Sequence, residues 1–78
     1  MLEAGEIVKL NNNKEYIVIN AIYLNNLRYV FLISNFKPLV TIVAIEKLNG
    51  DNIILEEIKE NSLLDYVLTQ FALKKENN

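Results

Sequence analysis

Leu27-Arg28-Tyr29-Val30-Phe31-Leu32-Ile33-Ser34 is the stretch whose reading decides the fold. Laid out as an extended chain, it sends Leu27, Tyr29, Phe31 and Ile33 to one side and Arg28, Val30, Leu32 and Ser34 to the other. Aromatic and β-branched side chains on both faces mark a central strand covered twice, with the Tyr29 and Phe31 face the preferred core. Residues 15–24 upstream have the same character. Asn25-Asn26 between the two runs is short enough to fold one back on the other as a hairpin.

Working outward, residues 15–24 place Ile17, Ile19, Ala21 and Tyr23 on one face and Tyr16, Val18, Asn20, Ile22 and Leu24 on the other. Neither face is polar enough to stand in water. Gly5 opens a short strand at 6–10, and Asn11-Asn12-Asn13-Lys14 supplies the turn after it, because asparagine accepts left-handed backbone angles. Beyond Ser34 the loop Asn35-Phe36-Lys37-Pro38 interrupts pairing, since proline has no amide to donate. A long strand then runs over 39–48. Asn49-Gly50 is the strongest local turn signal, and it returns the chain through a fifth strand at 52–58.

At Ser62 the hydrophobic period changes from two to between three and four. Leu64, Val67, Leu68 and Phe71, widened by Leu63 and Tyr66, predict a helix over 63–74, with Ser62 and Asp65 forming a capping pair at its start. Lys74 and Lys75 at the negative helix end and a polar tail close the chain. The expected class is therefore α+β, mainly β, in one domain over 1–78. Its form is a five-stranded antiparallel twisted sheet, or a small SH3-like barrel, with one C-terminal helix.

A chain of 78 residues that is 51% hydrophobic has more apolar side chains than a small core can hide. It has no cysteine and no histidine, so neither disulfides nor nitrogen and sulfur metal sites are there to reinforce it. Self-association is the expected remedy. The net charge is −2 and the basic residues are scattered among acids, which argues against a nucleic-acid partner. The opening Met-Leu-Glu-Ala-Gly-Glu lacks the basic start and apolar segment of a secretory signal, and uncharged runs are too short to span a bilayer as a helix. A cytoplasmic protein that does not insert into membranes is expected.

Without histidine or cysteine, the usual general base and the thiolate nucleophile are missing, and no catalytic residue is assigned. Glu56 and Glu57 are neighbours on a strand and point to opposite faces, so they cannot flank one bond. Asp51, Glu57 and Glu60 lack the spacing of a calcium loop, and Gly5 and Gly50 do not form a phosphate loop; no metal and no cofactor are expected. The aromatic residues point instead to contact. Phe36 beside Lys37 and Pro38 is hard to bury and is the preferred partner-binding residue, with Lys37, Tyr16, Tyr23 and Tyr66 as the other candidates. On this reading Phe36→Ala weakens a contact and spares the fold.

Gly5-Glu6-Ile7-Val8-Lys9-Leu10, Lys14-Glu15-Tyr16-Ile17-Val18 and Arg28-Tyr29-Val30-Phe31-Leu32 together resemble small β-rich proteins of low-GC bacteria and their phages, a family with no assigned activity. The resemblance implies a compact accessory protein of a phage or mobile element and carries over no catalytic residue. The function expected is a non-enzymatic protein-binding module that self-associates, with inhibition of a host or defence protein as one concrete form. The alternative is a small nucleotide- or nucleic-acid-binding barrel. That would need Lys9, Lys14, Arg28 and Lys37 to converge beside exposed aromatic rings.

Overall fold

Turn chemistry sets the order of the strands. The computed structural model describes residues 1–76 and arranges them as β1 (Ile7–Lys9), β2 (Glu15–Leu24), β3 (Leu27–Ser34), β4 (Thr41–Asn49), β5 (Asn52–Glu57) and a helix, α1 (Asn61–Glu76). Asn77, Asn78 and the side chains of Lys74 to Glu76, where the polar tail was expected, lie outside what is described. Asn25 and Asn26 both take positive φ, 51° and 67°, as a two-residue hairpin between β2 and β3 requires. Gly50 does the same at +66°, but the closing pair is Asn49 with Asn52, so the turn residues are Gly50 and Asp51 rather than Asn49 and Gly50. The result is an antiparallel meander in the order β1-β2-β3-β4-β5, curled into a half-barrel. Among the described residues β1 and β5 do not pair, so the sheet stays open.

A bulge in β2 corrects the face assignment read from alternation. Val18 lies opposite Leu32 and Asn20 opposite Phe31, which leaves Ile19 as an extra residue. Tyr16, Val18, Ala21 and Tyr23 therefore share one face, and Ile17, Asn20, Ile22 and Leu24 share the other. Asn20 Oδ1 accepts the Ala21 amide at 2.8 Å beside the bulge. Gly5 N–H donates to the Val18 carbonyl and Val18 N–H to the Glu6 carbonyl, both at 2.8 Å, so the segment before β1 also ends at this point.

Two apolar layers result. The inner layer, on the side toward which the sheet curls, joins Tyr16, Val18, Val30, Leu32, Ile42 and Ala44, with Leu2 of the N-terminal segment laid across them. The outer layer joins Ile22, Tyr29 and Val43 to Ile58, Val67 and Phe71, with α1 as its cover; the Phe31 and Phe71 rings lie 5.6 Å apart, tilted at 45°. Both faces of β3 are core. The more deeply buried one holds Val30 and Leu32, not the Tyr29 and Phe31 face that aromatic content favoured.

The helix starts two residues earlier than expected, and its cap is different. Glu60, not Ser62, accepts the free amides of Ser62 at 2.9 Å and Leu63 at 2.8 Å, one on each carboxylate oxygen. An ionised carboxylate offers two acceptors and a negative charge at the positive helix end, which a single hydroxyl cannot match. Ser62 thus falls inside the first turn. Of the expected stripe, Val67 and Phe71 are buried and Leu63 and Leu64 half-buried, whereas Tyr66 and Leu68 face outward. β4 also begins later, at Thr41, because Ser34 draws Val40 into the loop: Ser34 N–H donates to the Val40 carbonyl and Val40 N–H to Ser34 Oγ, both at 2.8 Å. Leu39 and Val40 are left outside the strand and exposed.

Candidate functional site

The site is built from the strand that the meander leaves last. β5 pairs on one side with β4 through Asn52 to Glu57, and among the described residues no strand pairs with its other side. Ile58 N–H donates to the Val43 carbonyl at 2.9 Å, which makes these two a hydrogen-bonded pair. Alternation then directs the main-chain groups of Glu56, Ile54 and Asn52 toward β4 and those of Glu57, Leu55 and Ile53 away from the sheet. These outward groups form the free edge.

Beside that edge lies an open cleft of about 950 Å³ between β5 and β1. Leu2, Ile42 and Ala44 form its buried floor, Val8, Leu10 and Leu55 its half-buried walls, and Lys9, Glu57 and Lys59 stand on the rim. Ile53 is 38% exposed and Ile54 46%. A trough with an apolar floor and a polar rim, next to unpaired main-chain donors and acceptors, is suited to an extended segment of polypeptide, whose backbone would extend the ladder.

One polar device holds the floor in place. Arg28 Nη1 donates to Glu46 Oε1 at 2.7 Å, and Leu2 N–H donates to the same oxygen at 3.0 Å. Both side chains are mostly buried, so the carboxylate fixes the N-terminal segment over the inner layer. Arg28 is thereby removed from any basic surface, and Lys14 lies 5.0 Å from the centre of the Phe36 ring. Two of the four cations that the alternative reading needs are thus engaged by partners within the chain. Among the described residues no group of three or more carboxylates gathers to hold a metal ion. The Glu60 carboxyl is held below its ordinary range by the backbone amides of Leu63 and Ser62, and it serves the helix.

The candidate contact residues are not brought together. Tyr16 is only 3% exposed, with its ring edge-on to Phe36 at 5.6 Å and its hydroxyl accepting from Asn12 Nδ2, so it is a core residue with no surface to offer. Phe36 is half-buried against the inner layer beneath Lys14, while Lys37 beside it is exposed. Tyr23, 62% exposed, stands at the far end of β2 with its hydroxyl on Met1 Sδ, and Tyr66, 49% exposed, lies on α1. Sequence reading missed Ile53, Ile54 and Leu55 as a surface. The signal was present in a final strand that carries no lysine or proline, but it has meaning only once the strand order makes that strand an edge. The chain matches no family model, no curated protein and no solved structure.

Proposed function

We propose that this chain is a non-enzymatic protein-contact module that associates with itself, using the free side of β5 and the cleft beside it. One observation carries the reading: a six-residue edge strand whose apolar run, Ile53, Ile54 and Leu55, has no lysine, proline or bulge, its charges being confined to Glu56 and Glu57 at one end. Strand addition at such an edge draws affinity from main-chain hydrogen bonds and selectivity from alternate side chains. The acidic balance, 10 acids against 8 bases, suits a target with a basic surface. Inhibition of a host or defence protein by a phage-borne chain in the cytoplasm is one form of this role. Light scattering over a wide concentration range tests the reading. A mass that rises above the 9.0 kDa of one chain and levels at a whole multiple is expected. A mass fixed at one chain throughout overturns it.

A further inference from the structure

We infer that the occupant of the β5 edge is a second copy of the chain, joined β5 to β5 about a two-fold axis in a single register. The inference rests on the contact-module reading and adds the partner and the geometry. Two copies of one strand pair antiparallel only about an axis perpendicular to the sheet, which keeps inner face beside inner face. Residues set opposite each other must then lie on the same face, and this leaves few registers to weigh.

Charge separates them. A ladder centred on Ile54 brings Asp51 of the turn toward Glu57 of the second copy at both ends, placing like charges together. Centring on Ile53 pairs only Asn52 to Ile54 within β5, against Asn52 to Glu56 for Ile54 and Ile53 to Glu57 for Leu55. Centring on Leu55 sets Ile54 opposite Glu56 and Ile53 opposite Glu57, and beyond each end of the paired strands it brings Asp51 of the turn toward Lys59 of the second copy, so opposite charges lie near each other at both ends. This register also places Leu55 opposite Leu55 and Ile53 opposite Glu57 as hydrogen-bonded pairs. Every outward N–H and C=O of Ile53, Leu55 and Glu57 then finds a partner. β1 is a poorer candidate for the same contact. It is three residues long, and joining β1 to β5 of another copy is head-to-tail, which continues indefinitely unless it closes a ring. With β5 on β5 the assembly stops at two, and the two clefts flank the seam.

The test uses the full chain, which has no cysteine of its own. Ile53→Glu brings a carboxylate opposite Glu57 twice in the dimer and leaves a monomer by light scattering, with circular dichroism unchanged because the position is already exposed. Ile53→Lys brings an ammonium to the same place and keeps the dimer. Leu55→Cys, oxidised at low protein concentration, forms a covalent dimer far faster than Ile54→Cys, since only the former lies directly opposite itself in this register. If the wild type associates but both Ile53 variants associate equally well, or if Ile54→Cys cross-links faster, the β5 register is wrong while the contact-module reading stands. If the wild type is monomeric at every concentration, both fall.

Discussion

Glu46 shows how one side chain ties the inner face together. Strand alternation points it inward with Ala44, and the β3–β4 register puts it opposite Arg28, so a carboxylate and a guanidinium meet where water is nearly absent. Such a pair adds little over an apolar substitute, but removing one member strands the other. Glu46→Ala leaves Arg28 without its counter-charge and the Leu2 amide without its acceptor. A loss of about 3 kcal/mol is expected, out of a total of about 4–12 kcal/mol for a domain of this size. Urea unfolding checks it, as a lower midpoint at an unchanged slope. The exposed Lys47–Glu56 pair is the control, because solvent screening holds a pair of that kind to under about 1 kcal/mol. Alternation places Arg28 on the Val30 face of its strand, and by the same rule Glu46 on the Ala44 face of the next. That they touch was not legible, because contact depends on the β3–β4 register, and that register depends on where the loop after Ser34 begins and ends.

At the scale of the element, what was legible followed the clarity of the local signal. Asn25-Asn26 and the Gly50 turn fixed two hairpins from residues whose backbone preferences leave few alternatives. β2 reads as one unbroken ten-residue run, and nothing in its residues announces that Ile19 is skipped by the partner strand. A bulge is a property of two strands together. The helix was legible as an apolar stripe, while its start was misplaced because a serine is the commoner cap and glutamate takes the role here through both oxygens. That cap gives α1 a dependence on acidity. The Glu60 carboxyl is lowered by its bonds to the Leu63 and Ser62 amides, so the folded chain holds this proton less tightly than the unfolded chain. The stabilisation is complete above the ordinary carboxylate range and disappears as the pH falls through the lowered folded value. Glu60→Gln should melt below the wild type at neutral pH, and the gap should close on acidification. A gap independent of pH would show that the charge on Glu60 is irrelevant to the helix.

For the whole molecule, the decisive feature is that one curled sheet carries two cores and has two unlike covers. α1 shelters the outer layer through Val67 and Phe71, whereas the inner layer is closed at one end by a single residue, Leu2, held by its amide on Glu46. Because the layers share every strand of the β2–β4 ladder, damage to either should loosen both. Leu2→Ala removes the plug and should cost about 3 kcal/mol, while Val67→Ala opens a smaller void under the helix at about 2 kcal/mol. For a chain this short each is a fall of roughly 10–20 °C in melting temperature. The tyrosines make the coupling measurable, since Tyr16 belongs to the inner layer and Tyr29 to the outer one. Resolved by NMR, the two rings should lose their native signals over one common transition in the wild type and in both variants. If Leu2→Ala melts Tyr16 ahead of Tyr29, the inner layer is a separate, weaker unit. The floor of the cleft would then open before the β5 edge does, and strand pairing at that edge would draw on the outer layer alone.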